Sequence, residues 1–68
     1  MNEIIFLVED AAEGGFSARA PGHAIHTAAD TERELQGMVK DAVACHLDDG
    51  EAPGVIRLHY VREEVIHA

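Results

Sequence analysis

Positive charge is the scarcest feature of this 68-residue sequence. Four arginines and one lysine, Lys40, stand against 13 Asp and Glu residues, so the formal net charge is −8 at pH 7. Proteins that bind nucleic acids usually concentrate Lys and Arg on one face, where these residues displace the counterions of the phosphates. The composition therefore argues against direct nucleic-acid binding and against attachment to an anionic membrane surface.

Cysteine and long apolar runs are also scarce. The one cysteine, Cys45, cannot form an internal disulfide, and its place in a helical pattern predicts a small buried side chain. The longest apolar run, residues 4–8, is far shorter than the roughly 20 residues that a membrane-spanning helix needs. No secretory signal is recognisable, because Glu3 stands where such a signal would be basic. These features predict a cytoplasmic protein.

The length predicts one domain, residues 1–68, with a small core. A chain of this size buries only about 60% of the surface that its unfolded form exposes. Small domains often gain stability from a second subunit. We therefore expect a homo-oligomer, a dimer or larger.

Three strands are predicted in the first half of the sequence. Residues 2–8 are rich in β-branched and aromatic residues, and both alternating sets are apolar over residues 4–8, which is typical of a central strand. Gly14-Gly15 then predicts a hairpin, and residues 16–20 alternate as a half-buried strand does. After the turn signal Pro21-Gly22, residues 23–28 fit a third, short strand.

One helix is predicted over residues 31–49. Thr31 and Glu34 have capping-box spacing, and Gly50 is expected just past the helix end. Gly37, inside the helix, is predicted to be tolerated there rather than required by a close neighbour. The residues expected to pack on the sheet recur at three- and four-residue spacing and include Leu35, Val39, Ala42 and His46.

Residues 55–61 alternate as a fourth strand, which completes the order β-β-β-α-β and an α+β fold. A right-handed crossover through the helix places this strand parallel to the first one, which predicts the sheet order 4-1-2-3. A single helix covers only one face of such a sheet. We therefore expect the other face to be open and to form the dimer interface.

Five histidines raise the question of a metal site. His23 and His26 are three residues apart in a predicted strand and so should lie on opposite faces. His46 is expected to pack with the helix, His59 to face solvent or a partner, and His67 to belong to the tail. Cys45 and His46 are adjacent on the predicted helix, about 100° apart, and no second pair has zinc-ligand spacing, so neither a metal nor another cofactor is predicted.

Six of the 13 acidic residues form two loop groups, one after the first strand (Glu9, Asp10 and Glu13) and one before the fourth (Asp48, Asp49 and Glu51). In the expected topology these groups lie at opposite ends of the sheet, so they cannot act as a catalytic pair. The sequence thus predicts that the protein is not an enzyme. The acidic residues are expected instead to contact a basic partner, and the candidate contacts are Glu9, Asp10, Glu13, Asp48, Asp49, Glu51, Glu63 and Glu64.

Four segments of the sequence resemble the N-terminal domain of HicB-type antitoxins. They are the strand at residues 4–8, the hairpin Glu13-Gly14-Gly15-Phe16 with Ala18, residues 29–35, and residues 57–61. The resemblance implies a truncated RNase H-like unit, assembly into dimers or larger oligomers, and pairing with a small basic RNase toxin.

Two departures from that family limit what the resemblance implies. Many of these antitoxins continue into a C-terminal DNA-binding module, which this sequence does not contain, so operator binding is not implied. The turn Ala20-Pro21-Gly22-His23 also differs from the Leu-Pro-Gly-Cys type that is frequent in the family.

Three functions follow in order of support. The first is a non-catalytic protein-binding module that neutralises a basic toxin, and the second is a structural module that only self-associates. The third is a minimal RNase H-like hydrolase. It would need carboxylates projecting from the strands as metal ligands, and the predicted strands do not supply them.

Overall fold

The computed structural model describes residues 2–47, 50, 53–62 and 64–68. Its elements follow the order β1 (Glu3–Asp10), β2 (Phe16–Ala20), β3 (Ile25–Ala29), α1 (Glu32–His46) and β4 (Val55–Val61). The α+β class and the predicted order of elements are confirmed. In this part of the chain, no helix has both the length and the apolar character that crossing a membrane would require.

The four strands form one sheet in the order β3-β2-β1-β4, which is the predicted order 4-1-2-3. β1 pairs antiparallel with β2 and parallel with β4, so it is an interior strand. Residues on the same face of the sheet align across the strands, since Val8 of β1 lies opposite Ala18 of β2 and Tyr60 of β4. The apolar character of both faces of β1 therefore predicted its position correctly.

The core lies between α1 and one face of the sheet. On the sheet, alternate residues of β1 are buried together with small residues of β2. The helix contributes Leu35, Val39 and Val43. The buried residues are Ile4, Phe6, Val8, Ala18, Ala20, Ile25, Leu35, Val39 and Val43.

Two predictions about the side chains of α1 are wrong. His46 is exposed, and its Nδ1 lies 3.0 Å from the Ala42 carbonyl oxygen of its own helix instead of packing on the sheet. Cys45 is exposed as well. Successive residues of a helix point in directions about 100° apart, so only a narrow strip of α1 faces the sheet. The last buried residue of that strip is Val43.

Several element boundaries differ from the prediction. β1 continues to Asp10 because its last residues still pair with β2. β3 starts at Ile25, because the His23 N–H donates to the Ala20 carbonyl and closes a turn. His23 therefore lies outside the strand, and the expected opposite-face arrangement with His26 does not arise.

The ends of α1 are set by local hydrogen bonds. Thr31 is the N-cap, and its side chain accepts a hydrogen bond of 3.1 Å from the Glu34 N–H, as predicted. The helix ends earlier than predicted, because Leu47 is an extended C-cap whose N–H donates to Val43. Gly50 is consequently too distant to be the residue that follows the cap. The predicted helical residues Asp48 and Asp49 lie outside the described residues.

Gly37 in α1 offers a stability test. A Cβ built at this position would have no atom within 4 Å, apart from its own helix and chain neighbours, so no close neighbour requires the glycine. We expect Gly37→Ala to raise the free energy of unfolding by about 0.5–1 kcal/mol, because alanine loses less backbone entropy in a helix. Urea unfolding measures this, and the reverse change at the exposed helical residue Ala44, Ala44→Gly, should lower stability by a similar amount. A destabilised Gly37→Ala variant would contradict the assignment.

The helix is not centred over the sheet. It packs mainly on β3 and β2 and is displaced from β4. Ile56 and Leu58, on the helix side of β4, are therefore only half-buried. A groove of about 260 Å³ remains between α1 and β4, with Val39 and Lys40 on the helix side.

Candidate functional site: an acidic cleft

One end of the sheet collects most of the acidic residues that the structure describes. The last residue of β1, Asp10, pairs with the first residue of β2, which in turn pairs with the last residue of β3. The β1–β2 hairpin loop and the start of α1 therefore lie at the same end. The pairing of Glu9 with Val61 brings the end of β4 there as well.

A cleft of about 790 Å³ lies between the hairpin loop and α1. The loop contributes Ala11 to Gly14 as one wall, and it is closed by hydrogen bonds of 3.0 Å from Ala11 N–H to the Gly15 carbonyl and from Gly14 N–H to the Ala11 carbonyl. The helix forms the opposite wall. Phe16 and Ala29, at the paired ends of β2 and β3, lie between the walls.

Among the residues that the structure describes, four acidic ones line this cleft. Glu13 comes from the hairpin loop, Asp30 precedes the helix, and Glu34 and Asp41 belong to α1. On the helix wall, Gly37 and Met38 lie between the two carboxylates, and Met38 is 46% exposed. The cleft therefore combines an apolar floor with acidic rims, which suits a partner that presents Lys or Arg next to apolar side chains.

The predicted contact residues lie in different parts of the structure, and some lie outside the described residues. Glu13 lines the cleft, Glu9 and Asp10 are exposed at the end of β1, and Glu64 is exposed in the segment after β4. Asp48, Asp49, Glu51 and Glu63 lie outside the described residues. Asp30, Glu34 and Asp41 were not predicted as contact residues, although Glu34 was predicted to cap the helix. A signal was nevertheless present, because Asp30, Glu34, Met38 and Asp41 follow one another at the spacing of a single helical face.

The open face of the sheet carries ion pairs as well as apolar residues. Arg57 Nε donates a hydrogen bond to Glu3 Oε1, and Arg19 Nε lies 3.8 Å from Glu9 Oε1. The hydrogen bond from Arg57 lowers the pKa of the Glu3 carboxyl. This face is therefore mixed rather than uniformly apolar, although Ile5 on β1 is 47% exposed.

β1 does carry carboxylates, contrary to the argument made against a hydrolase. Glu3 and Glu9 belong to this strand and project from its open face, each towards an arginine. Within the described ranges, no three His, Cys, Asp or Glu side chains come together in a group that could hold a metal ion.

Tyr60 marks the boundary between β4 and the cleft end. Its ring meets the Phe16 ring edge-on, with centroids 6.2 Å apart. Partial desolvation raises the pKa of the Tyr60 phenol, and the carboxylate of Glu32 raises it further. Phe16 thus connects the cleft floor to β4 through an aromatic contact.

Comparison with known proteins places the chain in a family. No protein-family model and no solved structure matches it. A UPF0150 protein of Archaeoglobus fulgidus is 54% identical over 50 residues, which cover 74% of each chain. A UPF0150 protein of Thermotoga maritima is 38% identical over 64 residues, or 94% of this chain and 90% of the relative. The chain therefore belongs to the UPF0150 family.

Proposed function

We propose that this chain is a non-catalytic, self-associating binding module that takes a small basic protein in its acidic cleft. The observation that carries the proposal is the convergence of Glu13, Asp30, Glu34 and Asp41 around an apolar floor in a chain of net charge −8. Complementary charge of this kind steers a basic partner to the site and accelerates association.

The resemblance to HicB-type antitoxins supplies the class of partner. In that reading the partner is a small basic RNase toxin, and binding covers the basic surface with which the toxin holds RNA. Inhibition then follows from competition, and the chain makes and breaks no covalent bond. The mechanism needs only that the carboxylates of the cleft reach the same Lys and Arg side chains that would otherwise contact phosphates.

The test is co-expression with small basic proteins encoded by neighbouring genes. We expect one of them to be toxic alone, to be neutralised by this chain, and to form a complex whose association rate falls as the salt concentration rises. If no neighbouring product co-purifies and none is toxic, the antitoxin function is wrong, and a module that only self-associates becomes the better proposal.

Matched variants locate the contact. Glu34→Gln with Asp41→Asn removes two charges from the cleft, and we expect the affinity for the basic protein to fall at least about tenfold. Glu9→Gln with Glu64→Gln removes two charges outside the cleft, and the affinity should stay within about threefold of the unmodified chain. Equal losses in the two variants would show that net charge, and not the cleft, determines binding.

A further inference from the structure

The outer edge of β4 presents unpaired backbone groups. The Val55 N–H donates to the Asn2 carbonyl at 3.2 Å, which shows that Val55 turns its backbone groups towards β1. The N–H and C=O groups of successive residues point to opposite sides of a strand. Those of Ile56, Leu58 and Tyr60 therefore point away from β1, towards the outer edge. Within the described residues, no strand pairs with this edge. Such an edge is a template for a further strand.

β4 also has few of the features that usually protect an edge strand, since Arg57 is its one formally charged residue. It is seven residues long and contains no proline, lysine or acidic residue. Three of its apolar side chains are strongly exposed, namely Val55, Tyr60 and Val61. The opposite edge, β3, has only five residues, and two of them are alanines. β4 is therefore the longer and more apolar of the two edges.

Charge determines which partner fits this edge. Two copies of a chain with a net charge of −8 repel each other unless they meet where carboxylates are few. β4 contains no acidic residue, and its one formal charge, on Arg57, is matched by Glu3. A basic partner, by contrast, is drawn to the acidic cleft, to which β4 contributes no residue. The edge thus suits a second copy of this chain.

We infer that β4 pairs antiparallel with β4 of a second copy about a two-fold axis at Leu58. This register sets Ile56 opposite Tyr60 and Val55 opposite Val61, and it uses the outward backbone groups of both strands. The result is a closed dimer with a continuous eight-stranded sheet, in which both helices lie on the same side. The grooves between α1 and β4 then face each other across the axis. The inference rests on the self-association in the proposed function and assigns its surface.

A charge exchange tests both the edge and the register. Val55 is 51% exposed and Val61 is 44% exposed, so a charged residue at either place stays in contact with water in a single subunit. Val61→Glu also adds a carboxylate beside its strand partner Glu9, so its folding must be checked separately. We expect Val55→Lys and Val61→Glu, each alone, to raise the dimer dissociation constant at least about tenfold, because each affects two symmetric contacts. The double variant should return to within about threefold of the original value. Positions 55 and 61 are about 20 Å apart in one strand, so this rescue must act between subunits.

Ile5→Glu is the matched control. Ile5 is 47% exposed on the same sheet face but lies on β1, one strand away from the edge, so the edge-paired dimer should persist. Sedimentation equilibrium gives the dissociation constants, and circular dichroism confirms that each variant is folded.

The outcomes separate the two proposals. If the unmodified chain is monomeric at high micromolar concentration, both self-association and the edge pairing are wrong. A second outcome is that Ile5→Glu dissociates the dimer and that Val55→Lys combined with Val61→Glu fails to recover the original dissociation constant. The interface then lies on the open face of the sheet, and only the edge pairing is wrong. If Val55→Lys leaves a monomeric chain unchanged but weakens its complex with a basic protein, then that protein, and not a second copy, occupies the edge.

Discussion

Phe6→Ala should cost about 3–5 kcal/mol of unfolding free energy, which is the usual loss for a fully buried phenylalanine. Phe6 has no exposed surface, and it lies on an interior strand between Ala residues of β2 and Leu58 of β4, facing α1. A domain of this length has about 3–10 kcal/mol of total stability. The change therefore removes from about a third to all of that stability, so we expect a much lower thermal midpoint and, near the lower end of the range, a chain that is largely unfolded at room temperature.

The neighbouring residue Ile5 provides the control for this experiment. It points to the opposite face of β1 and is 47% exposed, so Ile5→Ala should cost about 1 kcal/mol or less. Both variants should be measured at one protein concentration, because self-association adds to apparent stability. A Phe6→Ala variant that melts within a few degrees of the unmodified chain would contradict the core described here.

Gly15→Ala is the second change with a large expected effect, a loss of about 3 kcal/mol. Gly15 has φ of +81°, a conformation that costs an L-residue about 1–2 kcal/mol. A Cβ at this position would also lie 2.6 Å from the Ala29 carbonyl oxygen and 3.1 Å from the Asp30 Cα. Both are backbone atoms at the end of β3, so the hairpin would have to move away from its neighbour, at a further cost of about 1–3 kcal/mol.

The variant Gly14→Ala distinguishes the cost of the positive φ from the cost of the steric contact. Its φ is +98°, but a Cβ there would have no atom within 4 Å, so Gly14→Ala should lose only the conformational part, about 1–2 kcal/mol. Chemical denaturation of both variants gives the comparison. Equal losses would show that the close approach to Ala29 does not contribute.

The two proposed surfaces are compatible with each other. The cleft is built from the β1–β2 loop, the ends of β2 and β3, and α1, whereas the dimer edge is β4. Edge pairing therefore leaves both clefts of a dimer accessible and places them on the outer parts of the eight-stranded sheet. A dimer of this kind can bind two basic proteins.

Local sequence patterns were sufficient to predict most of the secondary structure. Alternation in residues 16–20 and 55–61 predicted β2 and β4 with their observed bounds, and the spacing of Thr31 and Glu34 predicted the helix start. The end of the helix was predicted too late, because the extended cap at Leu47 gives no pattern signal. His46 was misplaced for a related reason, since helical periodicity continues past the point at which the sheet surface stops.

The acidic cleft could not be predicted from local sequence patterns, because it brings together residues that are distant in the chain. Glu13 and Asp41 are 28 positions apart in the sequence, and they line one cleft because the β1–β2 hairpin returns to the start of α1. Position in the sequence groups acidic residues by loop, so Asp30, Glu34 and Asp41 were not predicted as contacts. Proximity of this kind depends on strand register and on the position of the helix, neither of which is a property of a local segment.

By itself, the sequence determined the class of fold, the order of the elements and the central place of β1, because these follow from short-range periodicity and from apolar residues on both faces of one strand. The tertiary structure decided where the helix lies on the sheet, and hence which residues are covered. Because α1 packs over β3 and β2, it leaves the helix-side face of β4 only half-covered and forms the acidic cleft with the hairpin at the other side. A single helix cannot cover the whole of a four-stranded sheet, and the side to which it shifts depends on packing between residues that are distant in the chain.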